Sequence, residues 1–388
     1  MNQGHLVFSQ ITDIFHRELF QRCVAKHPMP RSSRGFSARD QLLTMVFAQL
    51  TYRSSLRDVE ACLSGNPNLY AMGIRGNPTR TNIAYANTQR SWRVYEDFAQ
   101  LLIKKVRPLY LSDPSPIGLD EMVYAFDAST IDLCLSLFPW AKFRKTKSAV
   151  KLHTMIDLRG SIPVFISITD GKIHDVNALD QLVVEPGSIY ALDRGYVDFC
   201  RLYRLHSDGG FFVTRAKKNM VYRVCRSNIV DKSTGLNCDQ TIRLKSVKAR
   251  MSYPEILRRV SYTDASTGKR LVFLTNNFYL PAIKIAEVYK GRWQIELFFK
   301  WIKQNLRIKT FYGNSENAVK TQIWIAISTY LMVASLKKQL KLDLSMSKIL
   351  QILSVNPFQK ATLYQLLTEH NATSHGDIEH NQLLFNDF

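Results

Sequence analysis

A mixed α/β fold is predicted for this 388-residue chain, and three observations predict it. Apolar residues recur at helical spacing to about residue 115, alternate as in strands from about 121 to 280, and return to helical spacing up to about 340. Hydrophobic residues make up 46% of the chain, enough for a large core and, by length, roughly two or three domains. With only 17 Gly and 13 Pro and no repeat of fixed period, the sequence excludes a fibrous, solenoid or disordered chain.

In the helical region, "SARDQLLTMVFAQLTYRSSLRDVEACLSGNP" opens on Ser37 as an N-cap, with Leu42, Val46, Phe47 and Leu50 at helical spacing. Ser54 or Ser55 caps a second helix. The pair is either a DNA-reading helix-turn-helix or a plain helical hairpin, and the sequence does not separate the two. "LSDPSPIGLDE", with Pro114 and Pro116, reads as a linker. Strand-like runs follow at 121–133, 149–158, 162–170 and 188–196. Arg159-Gly160-Ser161 joins the second to the third, and a helix-like "DVNALDQLVV" precedes the fourth. Residues 201 to 280 stay mostly β ("GFFVTRAK", "VYRVCR", "TIRLKSV", "ILRRVSY", "KRLVFLTN"). Two long helices, about 281–308 and 314–340, and a short tail complete the chain.

Charge narrows the partners. Lys and Arg number 52 against 32 Asp and Glu, a net of +20, as expected of a protein that meets a polyanion. More than half of that excess lies in 201–280, with 16 basic and 5 acidic residues. Basic side chains alternating along strands aim one face at something anionic. Phe211, Phe212, Tyr222 and Tyr262 are interleaved among them, for stacking on bases or for the core. Six scattered cysteines without a Cys-x-x-Cys pair fit reduced thiols and a cytoplasmic setting. The N-terminus lacks the pattern of a signal peptide, and the apolar stretch Ile323 to Leu336 is too short to span a bilayer, so no membrane partner is expected.

"YKGRWQIELFFKWIKQ" (Tyr289 to Gln304) carries one acid among several cations. On a continuous helix advancing about 100° per residue, Tyr289, Arg292, Lys300 and Lys303 fall within an arc of roughly 80° around Glu296. Ile295, Leu297, Phe298, Trp301, Ile302 and Ile308 form the other face. The stripe by itself could be a solvated face with Glu296 paired to Arg292 and Lys300. Two further acids alter the reading. Asp127 ends the apolar part of a strand ("VYAFD"), and Asp193 ends another ("SIYALD") just before a glycine turn. Carboxylates at neighbouring strand ends repel unless a cation lies between them. Three such acids suit two hard divalent cations, with the nearby basic residues left to bind phosphates.

The pattern Tyr289-x2-Arg292-x3-Glu296-x6-Lys303 resembles the signature of DDE transposases of the insertion-sequence-four type. "FDASTIDL" and "ALDRGYVDF" are similar to that family's two aspartate motifs, with "KLHTMIDLRG" and "GKIHD" in matching places. The resemblance covers about residues 35 to 340. It implies a ribonuclease H-like catalytic core with a β-rich insertion, which accounts for the 103 residues between Asp193 and Glu296. The implied organisation is a helical DNA-binding domain (1–115), a first core segment (116–200), the basic insertion (201–280), a second core segment with the catalytic helix (281–345) and a tail (346–388). Asp127, Asp193 and Glu296 become the catalytic, metal-binding triad, holding two Mg²⁺ or Mn²⁺ ions. Tyr289, Arg292, Lys300, Lys303 and Arg194 become DNA contacts. The implied partners are double-stranded DNA (transposon ends and target) and a second protomer in a synaptic complex, in a bacterial, nucleoid-associated setting.

Three rival readings stay open. An inactive or domesticated DNA-binding protein would keep the fold and the charge. A structure-specific nuclease of the same fold would cut branched DNA. A phosphatase with a strand-end aspartate nucleophile would need a second Asp where Ser129 stands. His153 is read as a core or supporting residue, and His370, His375 and His380 as solvated.

Overall fold

The computed structural model describes residues 5–15, 17–28, 35–306, 308 and 311–373. The chain divides into two compact units, Met1–Leu109 with Trp301–Phe388, and Tyr110–Lys300. His375 and His380 lie outside the described residues.

The first unit begins with α1 (Val7–Asp13), α2 (Arg17–Ala25), α3 (Ala38–Leu50), α4 (Leu56–Leu63), α5 (Arg80–Gln89) and α6 (Arg93–Tyr110). Ser37 caps α3 in a capping box: its hydroxyl accepts from the Asp40 N–H while the Asp40 carboxylate accepts from the Ser37 N–H. Ser55, rather than Ser54, caps α4. Every residue of α3 from Asp40 to Leu50 is buried, which makes it a central helix of this unit.

The second unit is built on one ten-stranded sheet. Its strands are β1 (Val123–Leu133), β2 (Lys142–Arg144), β3 (Lys147–Asp157), β4 (Ile162–Asp170), β5 (Ile189–Leu192), β6 (Phe211–Arg215), β7 (Tyr222–Asn228), β8 (Leu236–Leu244), β9 (Leu257–Thr263) and β10 (Arg270–Thr275). Antiparallel β4-β3-β1 followed by parallel β5 and β6 is the strand order of a ribonuclease H-like core. The hairpin β3–β4 turns at Gly160 and Ser161, both at positive φ, where a side chain on Gly160 would run into the Tyr110 ring. The five β-like stretches of the basic region become β6 to β10, and β10-β9-β8-β7 continue the same sheet antiparallel.

One face of the sheet packs Tyr124, Phe126, Tyr190, Leu192, Phe212 and Leu274 against α7 (Phe199–Ser207) and the segment at Ala178–Leu182. That segment is a 3₁₀ turn at Asp175–Gln181, not the α-helix its pattern suggests. The basic region adds α8 (Val247–Ser252) to the same face. Against the strands also lies α9 (Ala282–Gly291), succeeded by α10 (Trp293–Asn305), which runs past Lys300 into the first unit.

The first unit is completed by α11 (Glu316–Gln339), α12 (Met346–Val355) and α13 (Leu363–Thr373). Among the described residues α11 alone has the length and apolar character to cross a bilayer. Yet 94% of its apolar window is buried, and it contacts α1, α3, α5 and α12 as the core of this unit. All six cysteines are free.

Candidate active site

Strand register assembles the site. Along β1 alternate side chains point to opposite faces, so Tyr124 and Phe126 enter the core cluster while Asp127 faces the other way. In the parallel pairing, Phe126 lies beside Leu192 and Leu192 beside Thr214. One step further along each strand come Asp127, Asp193 and Arg215. Adjacent strands are about 4.8 Å apart, so two acids and a cation stand in one row. On the other side of β1, Thr154 is the direct cross-strand partner of Asp127.

The helix side meets this row through a break. The sequence pattern reads Tyr289 to Gln304 as one helix, whereas α9 ends at Gly291 and α10 starts at Trp293, with Arg292 between them. Gly291 permits the join: a Cβ there would come within 2.8 Å of Leu158 Cδ1 and 2.9 Å of Ile117 Cδ1. Arg292 Nη1 donates to Asp127 Oδ2 at 2.7 Å and to Glu296 Oε1 at 3.4 Å. Both acids therefore reach one nitrogen atom. The Tyr289 hydroxyl donates to Asp193 Oδ1 at 3.3 Å, and its ring packs on Phe273 with centroids 5.0 Å apart. Leu297, placed on the buried face by helical spacing, is 51% exposed, as is Trp293 at 62%. The buried stripe of α10 is Ile295, Phe298, Phe299 and Ile302, and position 297 lies about 200° around the helix from both 295 and 299.

Burial pushes the Asp127 carboxyl up, against the pull of Arg292 and the Ala128 N–H. Glu296 and Asp193 push in the same direction as burial, and the outcome is about 6. Burial also acts on Asp193. There the N–H groups of Gly195 and Arg194, the Arg292 charge and the Tyr289 hydroxyl together outweigh it, and the carboxyl falls below its ordinary value. The two strand-end acids are thus held apart in proton affinity. Arg194 and Lys300 are exposed at the surface. Lys303 lies on the part of α10 that belongs to the first unit.

Sequence reasoning passed over Arg215 and Thr154. Arg215 ends β6 on the register of Asp193, and its charge acts on Tyr289. Its strand ("FFVTR") ends on a cation as "YALD" ends on an acid, a signal visible only once the three strands are aligned. His153, by contrast, pairs with Ala128 across the sheet, on the face opposite Asp127, and its Nε2 bonds the Thr169 hydroxyl at 2.8 Å.

Among the described residues no three Asp, Glu, His or Cys side chains stand close enough to share one metal ion. What stands between Asp127 and Glu296 is the Arg292 guanidinium, itself a cation. Two polar atoms at this place are buried without a hydrogen-bond partner, Arg292 Nε and the hydroxyl of Thr154. The Asp127 and Glu296 carboxylates flank a seat now taken by positive charge, and hard oxygen donors of this kind fit a divalent cation of the Mg²⁺ type.

A ribonuclease H-like sheet with one acid within β1, a second just past the end of the adjacent β5 and a third on a facing helix defines a class of metal-dependent phosphoryl-transfer enzymes. Comparison with known proteins gives the family. Residues 118–332 match the family model described as "Transposase DDE domain". The chain belongs to the DDE transposase family, whose members are metal-dependent DNA-cleaving and strand-transferring enzymes. It is 36% identical over 270 residues to "Putative transposase y4zB" of Sinorhizobium fredii, covering 66% of this chain and 71% of that protein. It is 30% identical over 223 residues to "Probable transposase for insertion sequence element IS5377" of Geobacillus stearothermophilus, covering 57% of this chain and 58% of that one. Residues 3–75 match a second model, described as "Domain of unknown function (DUF4372)".

Proposed function

We propose that this transposase binds the terminal inverted repeats of its own insertion sequence, hydrolyses the phosphodiester at each end and joins the freed 3′ hydroxyl to target DNA. The supporting observation is the row Thr154, Asp127, Asp193 and Arg215 across the sheet, the last two at the strand ends of β5 and β6, with Tyr289, Arg292 and Glu296 facing it. The spacing Tyr289-Arg292-Glu296-Lys303 supports the insertion-sequence-four type. Asp127, Asp193 and Glu296 hold Mg²⁺ or Mn²⁺, two ions per site. Bound there, the ions supply an activated water or hydroxyl and stabilise the leaving 3′ oxygen of an in-line displacement. Arg292 balances the crowded acids in the absence of DNA and presents its remaining N–H groups to a phosphate. Tyr289 and Arg215 bring a hydroxyl and a fixed cation to the same strand ends. Arg194, Lys300 and Lys303 take the backbone phosphates on either side.

Charge supports a double-stranded DNA partner. Arg223 on β7 lies directly opposite Arg243 on β8, a like-charge cross-strand pair that costs stability until an anion lies over it. Two protomers, each holding one end, form the synaptic complex at the bacterial nucleoid. The test is cleavage of linear duplex carrying the element's ends, with and without Mg²⁺. Cutting at the ends in Mg²⁺, lost in Asp127→Asn, Asp193→Asn and Glu296→Gln while end binding persists, supports the reading. Binding without cleavage by the unaltered protein would identify an inactive DNA-binding relative. Cutting of branched DNA regardless of end sequence would identify a structure-specific nuclease.

A further inference from the structure

The helical unit contains an open cleft of about 660 Å³ that the catalytic chemistry does not use. Its walls come from the start of α4, from α5 and from the segment 311–314 ahead of α11. Arg57 and Arg80 line it from different helices, with Ser54 and Thr88 between them and Phe311 and Gly313 opposite, and no carboxylate is among the lining residues. Both arginines are exposed, and neither has an ion-pair partner among the described residues. Their neighbour Arg53 behaves differently: it is held by Asp58 at 3.3 Å and by the Thr51 carbonyl. The wall is fixed as well, because the Tyr312 hydroxyl donates to the Arg53 carbonyl at 2.6 Å and its N–H donates to Gln322 Oε1 at 2.9 Å. Two uncompensated guanidinium groups facing one preformed groove, with hydroxyl donors and an aromatic ring, match a sugar-phosphate strand: forked donors for phosphate oxygens and an apolar surface for deoxyribose.

We propose that this cleft is a binding site for the sugar-phosphate backbone of double-stranded DNA, with Arg57 and Arg80 each neutralising one phosphate. The proposal rests on the DNA-binding reading above. It assigns the contact to a cleft built partly from the segment of unknown function (3–75) and partly from residues after the catalytic helix. Phosphate neutralisation has a specific signature, a salt slope of about 0.9 per contact. In fluorescence anisotropy with the full chain, an Arg57→Ala/Arg80→Ala variant should flatten the slope of log K against log salt by about 1.8. Its affinity at 150 mM salt should fall on the order of 30-fold, equally on element-end and unrelated duplex. Arg57→Lys/Arg80→Lys keeps both charges and should restore the slope. An unchanged slope in the alanine variant, or a loss confined to element-end duplex, overturns the proposal while leaving the transposase reading standing. If the unaltered chain shows no salt-dependent DNA binding, both readings fall.

Discussion

Replacing Asp127 with Asn should stabilise the metal-free protein at neutral pH while abolishing cleavage. The Asp127 carboxyl is displaced from 3.8 to about 6 in the fold, and its side chain is only 17% exposed. At about 1.36 kcal/mol for each unit, the ionised group costs the fold about 3 kcal/mol at pH 7.5. Asn removes that cost. It cannot accept from both the Ala128 N–H and Arg292 as the carboxylate does, so roughly 1–2 kcal/mol is lost again. The net expectation is a gain of about 1–2 kcal/mol. The sign with pH follows from proton binding. Between about 4 and 6 the folded state holds a proton on Asp127 that the unfolded state has released, so the contribution of Asp127 to stability declines as pH rises through that window and levels off above it. The advantage of Asn should therefore be present at pH 7.5 and absent at pH 4. Urea unfolding of both proteins in EDTA at these two pH values measures it. Equal destabilisation by Asn at both would show that the Asp127 carboxylate is not strained by its surroundings, and the account of the site electrostatics would fail.

Four further outcomes are expected. Arg292→Ala leaves Asp127 buried without its cation and should cost about 3 kcal/mol at pH 7.5, and adding Asp127→Asn should recover most of it in the same urea assay. Glu296→Gln breaks a 3.4 Å pair whose acid is 40% exposed; unfolding should change by less than about 0.5 kcal/mol while cleavage is lost. Arg215→Ala should slow cleavage of end duplex by roughly 10- to 100-fold, the worth of one charged hydrogen bond, with no change in melting temperature; an unaltered rate removes Arg215 from the site. His153, held by burial at about 4 against an ordinary 6.5, stays neutral in the fold while the unfolded chain takes up a proton. The contribution of His153 to stability should therefore fall as pH drops from 6.5 to 4, opposing that of Asp127, and His153→Asn should remove that component in unfolding titrations.

The sheet was legible because period-2 runs bounded by turns survive any tertiary context, and β1, β3, β4 and β5 appear where alternation places them. Asp127, Asp193 and Glu296 stand out in the sequence only as a set, two acids that follow apolar strand runs and one acid in a basic helix stripe, because a strand-end Asp taken alone is most often a turn former. Other features depend on register or on local geometry. Arg215 and Thr154 join the site only through strand pairing across β3, β1, β5 and β6, and no local pattern encodes that. The break at Arg292 follows from Gly291 packing under Leu158 and Ile117, residues more than a hundred positions away. The 3₁₀ turn at Asp175–Gln181 carries a helical apolar pattern that no local signal separates from the α-helices of similar length, α1 and α8.

The break lies between Tyr289 and Glu296. Seven residues separate Tyr289 from Glu296, nearly two full turns, so both lie on one side of the helix about 10 Å apart along its axis. The acids they address, Asp193 and Asp127, stand on adjacent strands about 4.8 Å apart. Arg292 keeps right-handed helical dihedrals at the join, its N–H donating to the Tyr289 carbonyl, and its guanidinium reaches Asp127 at 2.7 Å while touching Glu296 one turn on at 3.4 Å. Both acids meet the same Nη1 atom, so lysine at 292 would keep the charge but lose the remaining guanidinium N–H groups offered to a phosphate. Arg292→Lys should therefore hold stability closer to wild type than Arg292→Ala does, yet impair cleavage.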